Sequence, residues 1–182
     1  MIPKSDRVQK VHSDIRGPLY VEALRMQAEG IPVLKLNTGN PASFGFVLPD
    51  SVRKAVAEHL DEAVAYCDVK GMPAARKAIL QYHLDRGMKN ITADDIFIGN
   101  GVSEMASMIL TALVGTDDEV LMPSPCYSLW SNNTYICGAK PVHYRCDPNK
   151  EWQPDLDDIR SKITDKTKAL LIINPNNPTG AV

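Results

Sequence analysis

Three short segments carry the residues able to do chemistry: GNGVSE at 99–104, PSPCYSLW at 123–130 and NPNNPTG at 174–180. Each follows an apolar run and is built from glycine, proline, serine, asparagine or an aromatic ring. Open α/β proteins bind ligands outside the carboxyl ends of their strands, so this placement predicts a cradle for a phosphorylated, flat, ring-shaped molecule. In the first segment the opening N–H groups of a helix, those of Val102 and Ser103, would attract a phosphate with the helix dipole behind them. Gly101 lets the phosphate come close, and the Ser103 hydroxyl can donate one more bond. In the second, two prolines stiffen the approach to Tyr127, whose ring could stack on a planar ligand. In the third, an asparagine amide offers a donor and an acceptor together, suited to reading a phenolate oxygen and a carboxylate.

Each segment also has a plainer reading. GNGVSE could be an ordinary strand-to-helix turn with Ser103 as a cap. It is not a dinucleotide fingerprint, because Glu104 stands where the third glycine is required and no acidic residue ends the next strand at Met122. Trp130 is expected to pack in the core. Cys126 has no histidine near it in sequence to activate it as a nucleophile. NPNNPTG is more constrained than a turn requires, and its Asn177–Pro178 bond is a candidate for the cis form.

The elements that must position these loops alternate strand and helix past Thr92. Strands are expected at 96–98, 119–122, 140–144 and 168–173, with helices at 103–113, 127–136 and 156–163. Asp155 is available to cap the last helix. On the helix at 103–113, Met105, Met108, Ile109, Ala112 and Leu113 are expected to face the core. The apolar run ALLII within 168–173 reads as a central strand covered on both faces. Four such units predict an α/β fold with a three-layer, mostly parallel sheet. Before them lie helices at about 19–29, 50–63 and 73–86, a short strand near 33–36 and a turn-rich loop, NTGNPASFGF, at 37–46. The helix at 50–63 carries an apolar stripe of Val52, Val56 and Leu60, and that at 73–86 is expected to bury Ala75, Ile79 and Tyr82.

Bulk properties exclude several classes. The 182 residues carry 20 basic and 22 acidic side chains, a net charge of -2, which offers nothing to a nucleic acid. No apolar run approaches the roughly 20 residues that span a bilayer, and the first residues, MIPKSDRVQK, lack the apolar core of a signal peptide. The four cysteines form no CxxC pair and sit at no zinc-site spacing, so reduced thiols and no metal are expected.

Taken together, DIRGP at 14–18, NTGNPASFGF at 37–46, YCDVKG at 66–71, GNGVSE, PCYSLW and NPNNPTG resemble the fold-type I aminotransferases that use pyridoxal 5'-phosphate, closest to the bacterial alanine transaminase branch of class I/II. The resemblance covers essentially the whole chain. It implies a fold-type I large domain, incomplete here, with an amino-terminal arm. Residues 1–48 would form that arm and a small-domain segment, and residues 49–182 the first part of the large domain. It implies cofactor binding by Tyr66, Gly101, Val102, Ser103, Tyr127 and Asn177, with Tyr66 reaching the cofactor phosphate of a partner subunit in a homodimer. Substrate would be met by Gly39, Asn177 and Arg16.

The same resemblance requires a Schiff-base lysine, an aspartate on the ring nitrogen and an arginine for the substrate carboxylate. All three are expected beyond Val182, so no residue of this chain is assigned as catalytic, and the chain alone is expected to be inactive. The implied reaction moves an amino group between an amino acid, L-alanine first, and 2-oxoglutarate in the cytoplasm. An aromatic or broad-range transaminase, a lyase on the same scaffold, and a non-catalytic cofactor-binding or interaction fragment are the alternatives.

Overall fold

The computed structural model describes residues 2–12 and 16–182. The chain divides into two compact units, Met1–Ile31 with Gly101–Val182, and Pro32–Asn100.

The first unit holds a four-stranded sheet in the order β3-β2-β1-β4, with β1 at Glu119–Ser124, β2 at Lys140–Asp147, β3 at Gln153–Pro154 and β4 at Thr167–Leu170. β1 runs parallel to β2 and β4, pairing Glu119 with Lys140 and with Thr167. β3 is a short antiparallel addition on β2. The sheet is therefore mixed, within an α/β fold.

Strand β1 is buried along residues 119–123, and its side chains alternate between two cores. Val120 and Met122 pack with Leu110 and Val114, the former on helix α5 (Gly101–Leu113). Leu121 packs on the opposite face with Tyr144 and Cys146, covered by Ile159 of helix α7 (Leu156–Lys162). The period of two along the strand thus builds one core above the sheet and one below it. Asp155 caps α7 as expected, its carboxylate accepting from the N–H groups of Asp157 and Asp158 at 3.1 Å each. Arg145 pairs with the same carboxylate, which holds Asp155 down at about 2.

Helix α1 (Asp6–Gln9) packs against α6 (Leu129–Ile136), and helix α2 (Pro18–Ala28) begins on a proline. The chain at His12 is held by Asn132, whose side-chain amide accepts from the His12 N–H and donates to the His12 carbonyl.

The second unit contains α3 (Asp50–Glu58) and α4 (Pro73–Leu84), with short 3-10 turns around them. Its buried cation is Arg76, which donates to the Ala93 carbonyl and to Asp94 and lies against Asp68.

Several expectations change. The segments 33–36 and 96–98 form no strand: Ile98 makes one bond, to the Lys70 carbonyl, and one bond is not a ladder. Helix α4 buries Arg76, while Ala75, Ile79 and Tyr82 stay exposed, because the guanidinium finds polar partners inside and the apolar residues find no cover. Helix α5 buries Ala106 and Leu110, while Met108, Ile109, Ala112 and Leu113 are exposed. Ser103, Glu104, Ser107 and Thr111 share one side of GVSEMASMILTAL, and the apolar side opposite them finds no cover among the described residues. The expected helix at 50–63 breaks into α3 and a 3-10 turn, and its stripe of Val52, Val56 and Leu60 is exposed. Finally, β4 lies at the sheet edge, with Leu170 and Ile172 exposed, rather than in the middle.

Candidate active site: a cradle at the carboxyl edge of the sheet

Two of the three loops leave the carboxyl ends of neighbouring parallel strands, β1 and β4, and therefore open on the same edge of the sheet. The third opens helix α5, in the same unit as the sheet. This helix has 13 residues, about 20 Å of length. It returns through the short 114–118 turn into β1, which spans a similar distance over six residues. Leu110 and Val114, at the carboxyl end of α5 and just past it, pack in one core with Val120 and Met122, so that end of the helix lies against β1.

At that helix start Gly101 has φ +83°, a conformation that L side chains rarely adopt, and a Cβ added there would meet nothing within 4 Å. The N–H groups of Val102 and Ser103 are among the first of α5 and have no intrahelical carbonyl to bond. Val102 is 66% exposed. Open space, the first N–H groups of a helix and the positive end of its dipole together suit a phosphate.

Tyr127 is half-buried on the loop after β1, and Asn177 is exposed on the loop after β4, with no side-chain hydrogen bond among the described residues. The two loops touch through Asn176, a residue the sequence did not single out. Its Nδ2 donates to the Pro125 carbonyl at 3.1 Å and to Thr179 Oγ1 at 2.9 Å. The same loop is closed by main-chain bonds between Asn176 and Ala181 and between Gly180 and Asn176, each 2.8 Å. The bonds Ser124–Pro125, Asn174–Pro175 and Asn177–Pro178 are all cis. No local pattern marks Asn176, because the backbone carbonyl it bonds lies 51 positions away.

The structure thus gathers Gly101, Val102, Ser103, Tyr127 and Asn177 in the first unit. Arg16 belongs to the same unit and is exposed, while Asp14 and Ile15 of the DIRGP motif lie outside the described residues. Gly39 and Tyr66 belong to the second unit, where Tyr66 is 107% exposed. Among the described residues no group of three or more His, Cys, Asp or Glu side chains could hold a metal ion. Trp130 packs against the upper core, as does Cys126, which accounts for both without chemistry. No helix among the described residues is long and apolar enough to cross a membrane.

An α/β unit holding a phosphate-suited helix start, an aromatic loop and an asparagine loop suits the fold-type I transferase class, and comparison with known proteins shows it. Residues 31–182 match the family model for aminotransferase class I and II, and the chain belongs to that family. It is 52% identical over 182 residues to glutamate-pyruvate aminotransferase AlaA of Haemophilus influenzae, covering 100% of this chain and 45% of that protein. It is 49% identical over 180 residues to alanine aminotransferase of Mycobacterium tuberculosis, covering 98% of this chain and 42% of the relative. A crystal structure of an aminotransferase from Escherichia coli superimposes with a TM-score of 0.95 at 52% identity, covering 100% of this chain and 45% of that one. The chain therefore spans less than half the length of these relatives.

Proposed function

We propose that these residues are the amino-terminal part of an aminotransferase that moves an amino group between L-alanine and 2-oxoglutarate with pyridoxal 5'-phosphate, as a cytoplasmic homodimer. The relatives' names support the pair: pyruvate that gains an amino group becomes alanine, and glutamate that loses one becomes 2-oxoglutarate. The observation that supports the reading is the meeting of the Tyr127 and Asn177 loops through Asn176, after neighbouring parallel strands and in the same unit as the α5 start.

The residues present fit such a cofactor. Val102 and Ser103 would hold its phosphate with their N–H groups, and Gly101 leaves room for it. Tyr127 would cover one face of the ring and exclude water from it. Asn177 would donate to the ring's 3-oxygen and help orient substrate. When bound, the cofactor supplies an electron sink that lets the α-carbon of an amino acid give up its proton. Tyr66, wholly exposed, is suited to reach a partner subunit's phosphate, and Gly39 and Arg16 would meet substrate. On this reading residues 1–48 are the arm and a small-domain segment and residues 49–182 the first part of the large domain. The lysine, the ring-nitrogen aspartate and the carboxylate-binding arginine are supplied by sequence beyond Val182, and the 182-residue chain is inactive by itself.

The test is a set of single-turnover amino-transfer rates on the full-length enzyme across alanine, aromatic and acidic amino acids. Alanine and glutamate should lead. Preference for an aromatic donor would replace the alanine assignment, and release of product without amino transfer would indicate a lyase.

A further inference from the structure

The strap between the two ligand loops has a consequence for the cofactor's chemistry, and it rests on the aminotransferase reading above. Asn176 is 8% exposed and links the loops that carry the two residues that would touch the ring. Asn177 follows it directly, and the carbonyl it bonds, that of Pro125, lies two residues before Tyr127. The orientation of its amide is fixed by chemistry: a carbonyl oxygen can only accept, so the nitrogen must face Pro125.

The other half of the amide is unusual. Asn176 Oδ1 is buried and has no hydrogen-bond partner. An unpaired buried acceptor costs about as much as a good hydrogen bond contributes. The two bonds made by Nδ2 are thus largely offset, and the side chain adds little net stability. What it does add is a fixed distance between the loops, because it spans from the 174–180 turn to the 125–127 main chain.

We infer that Asn176 is a positioning residue that sets where the Asn177 amide stands relative to the Tyr127 ring, and thereby tunes the ionisation of the bound cofactor. An N–H donated to the ring's 3-oxygen favours the oxygen's anionic form and holds its proton equilibrium down. Displacing Asn177 weakens that bond and moves the equilibrium up.

The experiment uses the full-length enzyme with bound pyridoxal 5'-phosphate and reads the pH midpoint of the cofactor's visible band, together with its dissociation constant. Asn177→Ala should raise the midpoint. Asn176→Ala should raise it in the same direction by a smaller amount, about half a pH unit, with little change in melting temperature. In the Asn177→Ala background, Asn176→Ala should add nothing, since residues acting through one another are non-additive. Should Asn176→Ala not fold, Asn176→Ser carries the same comparison. An unchanged midpoint for the Asn176 variant, or a shift that persists in full without Asn177, overturns the inference and leaves the aminotransferase reading standing. If Asn177→Ala itself leaves the midpoint unmoved, the assignment of Asn177 to the cofactor fails, and this inference fails with it.

Discussion

The Tyr144 hydroxyl donates to the Leu171 carbonyl at 2.8 Å, across the central strand that separates them. Leu171 donates its own N–H to the Leu121 carbonyl at 2.7 Å, so parallel pairing would next bring its carbonyl to the N–H of residue 123. Residue 123 is proline and has no N–H to give. Tyr144, 1% exposed and in register with Pro123, supplies the missing donor from the neighbouring strand. The ladder is thereby carried to the point where β4 gives way to the 174–180 loop.

Tyr144→Phe removes that donor and leaves a carbonyl short of its partner in a crowded part of the sheet. It should lower stability by about 1–3 kcal/mol, read as a shift in urea midpoint. Burial also pushes the phenol up, to about 12. A group whose folded-state pKa is raised keeps its contribution below the ordinary value of 10 and loses it as pH rises toward 12. Wild-type stability should therefore fall across that alkaline window, and the Phe variant should lack this component.

At the opposite end of the pH scale Asp155 acts with the reverse sign. Its carboxylate, bonded by Arg145 and by two α7 N–H groups, is held at about 2 against an ordinary 3.8. Its contribution is present above the ordinary value and disappears as pH falls through 2. Asp155→Asn should melt a few degrees lower at neutral pH. The gap should close between pH 4 and 2, followed by circular dichroism.

In the second unit, Gly71 sits at φ +104°, and a Cβ there would lie 2.7 Å from Ile98 Cβ. Gly71→Ala combines backbone strain with overpacking and should cost about 2–3 kcal/mol. Loss of hydrogen-exchange protection at the Ile98 N–H, which donates to the Lys70 carbonyl, would report it locally.

What could be read from the lettering, and what could not, follows from how each residue is held. The Asp155 cap was legible because the carboxylate bonds N–H groups two and three residues on, which is local chemistry. The loops after β1 and β4 were legible because turn-forming proline, serine and asparagine cluster just after each apolar run. The buried face of α5 was not, since its apolar side, with Met108, Ile109 and Leu113, is left exposed while Ala106 and Leu110 are buried. The edge position of β4 was hidden because the apolar pattern of ALLII reports on cover of its faces, not on whether a strand pairs along both sides. Asn176 escaped notice because its partner, Pro125, lies 51 positions away.

Within the cradle, Tyr127→Ala should weaken pyridoxal 5'-phosphate binding by the full-length enzyme about two- to tenfold, the size expected of one aromatic stacking contact. Equilibrium dialysis measures it directly. An unchanged dissociation constant would remove Tyr127 from the site.

The central claim is that one edge of this sheet holds both ends of the cofactor. A crystal structure of the full-length enzyme with pyridoxal 5'-phosphate tests it most directly. The phosphate should lie within about 3 Å of the Val102 and Ser103 N–H groups, with the ring against Tyr127 and its 3-oxygen facing the Asn177 amide. A phosphate seated away from the start of α5, or a ring touching neither Tyr127 nor Asn177, would contradict the account.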